Sequence, residues 1–249
     1  MSLENIKLIN YDASHYVVVA NAIVKGKQEM TLTEARIIRL LITQVVKEDK
    51  DLKTYTCRIQ DLADFLGVTG KSIYRDIKTI CDNLLRRIVR IETDNPRHPW
   101  MSFQWIQLAS HDGNGNITLK LSEQIAPYVL ELNSWFTQYQ LQEILSFNSF
   151  YAIRLYEILK CNEGIFKKSK KDQEYEIDYL RRVFDCEKKY KTTAEFIRKV
   201  INIGIREIND KSDITAEIEY VKTGRKITSL KFFVSYNIKN KFIRKKEFE

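Results

Sequence analysis

Residues 58–87 read RIQDLADFLGVTGKSIYRDIKTICDNLLRR, and residues 177–210 read IDYLRRVFDCEKKYKTTAEFIRKVINIGIREIND. Both spell a short apolar-faced helix, a tight turn, and a longer helix with basic and hydroxyl residues on one side. In the first stretch Leu62, Phe65 and Leu66 face inward on a short helix over 60–66, and Gly67-Val68-Thr69-Gly70 supplies the turn. Ile73, Ile77, Ile80, Leu84 and Ile88 then recur at spacings of 4, 3, 4 and 4, one apolar stripe at helical period. The opposite face carries Lys71, Ser72, Arg75, Lys78 and Thr79, with Ser72 placed to cap the helix. In the second stretch a short helix over 178–184 precedes the turn 185–192, and a long helix over 193–208 follows. That helix packs Phe196, Ile197, Val200, Ile201, Ile205 and Ile208 and presents Thr193, Arg198, Lys199, Asn202 and Arg206.

Working outward, an alternating strand over 55–59 precedes the first device, and strand-like segments 89–93, 101–109 and 117–121 follow it, joined by 94–99 and a turn at 111–116. Upstream, 17–23 is predicted as a short apolar helix ended near Gly26. Thr31 and Thr33 offer N-caps to a helix running to Val46, with Ile37, Leu40, Leu41 and Val45 on its buried face. Residues 124–132 are predicted helical. The second half repeats the order: an apolar helix over 150–159, a lysine-rich loop at 167–171, a strand over 175–177, the device, then strands 214–220 and 227–236 around Lys222-Thr223-Gly224-Arg225-Lys226. A strand before a helix-turn-helix and a hairpin after it make a winged helix. The fold class is therefore predicted as α+β, two tandem winged-helix domains over 1–135 and 136–249, with the tail 239–249 frayed.

The composition is that of an ordinary globular chain: 249 residues, 44% hydrophobic, 30% charged, with 8 Gly and 3 Pro, long enough for two cores. The net charge of +8 is unevenly placed. Residues 1–135 hold 17 Lys+Arg against 16 Asp+Glu, whereas 136–249 hold 24 against 17. A basic half concentrates counter-charge for a polyanion, so the second half is the expected main contact with nucleic acid. Cys57, Cys81, Cys161 and Cys186 form no C-x-x-C pair and read as reduced core residues. The N-terminal MSLENIKLINYD lacks the pattern of a secretion signal, and no apolar run is long enough to span a bilayer, so a cytoplasmic location away from membranes is expected.

Two catalytic readings fail on spacing. Gly67-Val68-Thr69-Gly70-Lys71-Ser72 ends like a phosphate-binding loop, but Phe65 stands where the first glycine of G-x-x-x-x-G-K-S is needed, and the preceding residues read as helix. Nicking DNA through a tyrosine would require metal ligands, and His15, His98 and His111 are far apart and form no metal-binding pair. No enzymatic activity, metal or cofactor is expected.

Basic residues that adjoin a helix N-terminus carry more weight than a run in a loop. Lys167, Lys168, Lys170 and Lys171 suit phosphate steering or solubility equally. Lys188, Lys189, Lys191 and Thr192 immediately precede the second long helix, where backbone amides and the helix dipole also attract phosphate. Arg198 can read guanine, and Asn202 can read adenine or stay solvated. Lys199 and Arg206 are expected on phosphates beside them, and Lys222, Arg225 and Lys226 on the backbone or minor groove. The first device would add Lys71, Ser72, Arg75 and Lys78.

With these motifs in order, the chain resembles the iteron-binding plasmid replication initiators over most of residues 10–237. The marks are Ala20-Asn21-Ala22, Leu32-Thr33-Glu34-Ala35, Leu62-Ala63-Asp64, the run 149–159, Tyr190-Lys191-Thr192, Ile205-Arg206-Glu207-Ile208-Asn209 and Gly224-Arg225-Lys226. The resemblance implies a non-enzymatic protein that binds repeated double-stranded sites at a replication origin, with host replication proteins recruited to it. It also implies a homodimer, held by the N-terminal domain, that represses its own gene, in equilibrium with a monomer that binds iterons. A winged-helix transcriptional repressor on one inverted repeat would share every DNA-binding feature.

Overall fold

A computed structural model describes residues 6–67, 72–163 and 172–237, the side chains of 72–75 excepted. Val68, Thr69, Gly70, Lys71, Lys167, Lys168, Lys170, Lys171, the side chains of Ser72 and Arg75, and the tail 239–249 lie outside the described residues. The chain divides into two units, Met1–Leu141 and Gln142–Glu249.

The first unit runs β1 (Ile6–Leu8), β2 (Tyr16–Ala20), α1 (Asn21–Lys25), β3 (Lys27–Gln28), α2 (Leu32–Thr43), β4 (Thr54–Arg58), α3 (Ile59–Leu66) and α4 (Ser72–Leu84). It continues through β5 (Ile88–Glu92), β6 (Trp100–Gln104), β7 (Ile106–His111), β8 (Asn116–Leu121), a 3-10 turn (Glu123–Tyr128) and β9 (Phe136–Gln140). The helix-turn-helix is α3 and α4. Gly67 closes α3 at φ 68°, a left-handed conformation that glycine adopts without a Cβ clash, and its amide bonds back to Ala63 and Asp64. Leu62 and Leu66 are buried and Phe65 half-buried, as the periodicity requires. On α4, Ile77 and Leu84 are buried, but Ile88 falls in β5 and is exposed, so the stripe ends with the helix.

The strand before the device, β4, pairs antiparallel with β8, and β8 with β7, giving β1-β4-β8-β7. The wing of this unit is therefore the β7–β8 hairpin. The expected single strand 101–109 is broken at Trp105, whose amide donates to the Arg87 carbonyl and whose carbonyl accepts from Ser122. Trp105 is fully buried and turns the chain from β6 into another sheet, β3-β5-β6, so β5 and β6 form a second hairpin apart from the wing.

The predicted helix over 17–23 is a correction of a different kind. Its first part is β2, because Val17, Val18 and Val19 alternate buried, half-buried and buried in a strand paired with β9; only from Asn21 does the chain turn helical. Residues 124–132 hold only the 3-10 turn, with Pro127 inside it. Pairing of β9 with β2 also ties 136–140 to the first unit, which puts the division at 141/142 rather than 135/136.

α2 begins at a capping box: Thr31 Oγ1 accepts from the Glu34 amide and Glu34 accepts from the Thr31 amide. The Glu34 carboxylate is buried and also takes Arg87 Nε at 2.7 Å and Nη2 at 3.2 Å, tying α2 to the end of the helix-turn-helix. Gln44 is the C-cap, so α2 stops short of Val46.

The second unit holds α5 (Gln142–Leu145), α6 (Phe150–Lys160), β10 (Gln173–Glu176) and α7 (Ile177–Val183), then β11 (Ile214–Thr223) and β12 (Lys226–Tyr236) after the long helix. That helix, α8, covers 193–211 in three parts: Thr193–Phe196, a π-turn at Ile197–Ile201 in which the Asn202 amide reaches the Ile197 carbonyl, and Asn202–Lys211. Sheet order is β10-β12-β11, so the strand before the device again pairs with the second strand of the wing. The winged-helix core of the two units thus repeats one topology, to which the first unit adds β1 and the sheets β2-β9 and β3-β5-β6. α8 crosses α6 closely at Gly204, where a Cβ would stand 2.9 Å from Leu155 Cδ2 and oblige that side chain to shift. Among the described residues no helix is long and apolar enough to cross a membrane.

Candidate nucleic-acid interface

In the second unit the turn between α7 and α8 is built by a side chain that the hydrophobic pattern does not mark. Arg181 Nη1 donates to the carbonyls of Cys186 at 3.1 Å, Lys189 at 3.0 Å and Tyr190 at 3.0 Å, and Nη2 donates to Thr192 at 2.9 Å. Its guanidinium also lies 4.8 Å from the Phe196 ring. The rigid fork of arginine satisfies carbonyls that a turn otherwise leaves to water. It also offsets strain, because Asp185 (φ 52°) and Tyr190 (φ 58°) are both left-handed without being glycine. Nothing in the sequence pattern separates Arg181 from its neighbour Arg182. Its position in the last turn of a short helix, where carbonyls lack donors, is the signal that could have found it.

The turn delivers α8 with its N-terminus capped. Thr192 Oγ1 accepts from the Glu195 amide at 3.1 Å, so this hydroxyl is engaged by the helix. Thr193 is half-buried. Arg198, Lys199, Asn202 and Arg206 are all exposed, while Phe196, Ile197, Val200, Ile201 and Ile208 are buried, giving α8 one apolar and one polar face as its pattern predicts. Ile205 is half-buried. Lys188 and Lys191 are exposed. Lys189 is half-buried, with Nζ 3.3 Å from Asp185. Lys199 Nζ sits 2.7 Å from Glu195 Oε1 and 5.5 Å from the Tyr190 ring. The hydrogen bond from Lys199 holds the Glu195 carboxyl below its usual range, helped by the Lys191 amide. Both lysine pairs are partly exposed i,i+4 contacts, close to the surface pairs that contribute ~0–1 kcal/mol, so DNA can displace them at small cost.

The wing tip is a two-residue turn, Gly224-Arg225, between the paired Thr223 and Lys226, with glycine at φ 61° in the first central position. Lys222, Arg225 and Lys226 are exposed on it, and an irregularity at Val221/Lys222 bends the ribbon. A groove of about 640 Å³ joins this wing to the turn, lined by Lys188, Lys189, Lys191 and Thr193 on one side and Lys226 on the other, with the acidic residues Glu176, Asp178 and Glu187 also in its wall. Four of the predicted cations therefore meet around one groove. Arg198, Lys199, Asn202 and Arg206 lie on the helix beyond it, and Lys222 and Arg225 at the tip lie outside its lining.

Below the turn, Tyr151 Oη stands 3.3 Å from Tyr190 Oη and 3.7 Å from Cys186 Sγ, and burial pushes the Tyr151 phenol well up. In the first unit Lys78 and Thr79 are exposed on α4, as predicted. Among the described residues no group of three His, Cys, Asp or Glu could hold a metal ion.

Known proteins agree with this architecture. Residues 16–160 match the family model described as "Initiator Replication protein, WH1", and 176–234 match "Initiator Rep protein, WH2". The first match runs through α6, although α6 packs on α8 of the second unit. The chain is 23% identical over 223 residues to a replication initiation protein of Escherichia coli, covering 86% of this chain and 68% of that protein. It is also 24% identical over 235 residues to an uncharacterized 27.6 kDa protein of Escherichia coli, covering 84% of this chain and 95% of the other. Two winged helices in tandem, matched in order across more than half of the sequence, place the chain in the initiator replication (Rep) protein family.

Proposed function

We propose that this Rep-family chain is a plasmid replication initiator that binds direct repeats of double-stranded DNA at an origin, with the second unit as its main contact. The observation that carries this reading is the front of that unit. An arginine-clamped turn presents a capped helix with Arg198, Lys199, Asn202 and Arg206 exposed along it, flanked by a groove lined with lysines and by a basic wing tip. A helix so presented can enter the major groove while the turn and wing hold phosphates on either side. Lys78, with Lys71, Ser72 and Arg75, would add contacts from the first unit.

The same proposal includes a dimer that represses the initiator's own gene, in equilibrium with a monomer that binds the repeats. The β5–β6 hairpin supports a dimer through the first unit, since β6 is an edge strand and Ile88, Trp100 and Met101 are exposed on the hairpin. The protein would act by binding and distorting DNA and by recruiting host replication proteins, without cleaving a strand. Footprinting of the DNA surrounding the gene tests the reading: protected direct repeats are expected, whereas a lone palindrome would make the protein a repressor. Incubation of supercoiled origin DNA with Mg²⁺ should leave it unnicked.

A further inference from the structure

Glu195 is a carboxylate in the middle of a cationic front. It occupies the third position of α8, one turn before Arg198 and Lys199, with Lys191 and Lys188 on the adjoining turn. Its Oε1 is 2.7 Å from Lys199 Nζ, and the pair lies on the outward face of the first turns of the helix. A winged helix reads base edges from this end.

A carboxylate here repels phosphate, so it is no backbone contact. Beyond Lys199 and the Lys191 amide, which it already accepts from, the donors that DNA can offer it are amino groups on base edges. In the major groove cytosine offers its N4 amino group, while guanine offers two acceptors, O6 and N7, and thymine one, O4; adenine offers an amino group next to the acceptor N7. The ammonium of Lys199, held beside the carboxylate, is a donor suited to guanine O6 and N7.

We propose that Glu195 and Lys199 together read one C·G base pair, Glu195 accepting from cytosine N4 and Lys199 donating to the paired guanine, which makes Glu195 a specificity-determining residue. This rests on the DNA-binding reading above and moves Lys199 from the phosphates to a base. The ion pair has a function of its own in the free protein: it holds the two side chains together and partly masks a carboxylate that would otherwise weaken the approach of DNA. Acceptor-bearing bases at that position meet the carboxylate and are rejected, so discrimination comes from repulsion as much as attraction.

The test is a selection from duplexes with randomised bases, run in parallel with the full chain as wild type, Glu195→Gln, Glu195→Ala and Lys199→Ala, followed by affinity measurement on a 30-bp duplex of random sequence. Wild type should enrich a motif containing a C·G pair whose preference falls on the order of 10-fold in Glu195→Ala and in Lys199→Ala at the same position, with the other positions kept. Glu195→Gln, which keeps the shape of the side chain, should bind the random duplex several-fold more tightly than wild type. Unchanged motifs, a loss at an A·T pair instead, or equal weakening on all sequences with a lowered Tm would overturn the proposal; the last outcome would reduce Glu195 to a helix cap. If wild type itself enriches no motif, the DNA-recognition reading fails and this inference with it.

Discussion

Replacing Arg181 should uncouple the turn from the second recognition helix. The side chain makes four charge-assisted bonds to main-chain carbonyls and stacks on Phe196. Such bonds contribute ~1.5–3 kcal/mol each when fully buried. Arg181 is only half-buried and the Thr192 bond is exposed, so water recovers much of each loss. Counting ~0.5–1 kcal/mol for each of the four bonds and a similar amount for the ring contact gives ~2.5–5 kcal/mol for Arg181→Ala. Lys has three rotatable donors on a point charge and cannot span the same carbonyls, so Arg181→Lys should keep roughly half of that stabilisation. The left-handed Asp185 and Tyr190 should then relax, since each holds ~1–2 kcal/mol of backbone strain that the clamp offsets. Urea unfolding measures the stability change, and hydrogen exchange of the amides of 186–196 reports the turn directly. DNA affinity should fall on cognate and random duplexes alike, because the whole helix front is displaced. A change below ~0.5 kcal/mol for Arg181→Ala, with exchange at the turn unaltered, would refute the clamp.

Arg198→Ala should cost ~1–3 kcal/mol of binding at one base position, measured on a panel of single-base variants of the protected site; equal loss on random DNA would make it a phosphate contact. Lys188→Ala should weaken binding evenly across sequences and lower the salt slope by about 1, and an unchanged slope would remove Lys188 from the interface. Arg87→Ala leaves the buried Glu34 carboxylate without its ion pair and should destabilise the first unit by ~3 kcal/mol in urea, with Glu34→Gln milder because its partner is a quarter exposed. Burial pushes the Cys81 thiol up to about 11, and it also raises Cys57 and Cys186. At pH 8 these thiols should therefore react slowly with iodoacetamide in the native protein and quickly in urea, and fast native labelling would contradict their burial.

Local periodicity determined much of this protein. The stripes through α4 and α8, the capped start of α2, the glycine that ends α3 and the β-strands after each helix-turn-helix are all properties of near neighbours in the chain. They were sufficient to name two winged helices and to place Arg198, Lys199, Asn202 and Arg206 on one face. Pairing between distant segments decided the rest. Val17 to Val19 are strand because β9 lies beside them, more than a hundred residues on, and Trp105 splits one apolar run between two sheets by bonding to Arg87 and Ser122. The same is true of the interface chemistry. Arg181 acts on carbonyls that only the folded turn gathers within its reach, and the turn and wing meet around one groove only through the sheet that carries Lys226. A sequence states which side chains carry charge; the tertiary fold decides which of them share a face, because it alone sets the distances over which charges and hydrogen bonds act.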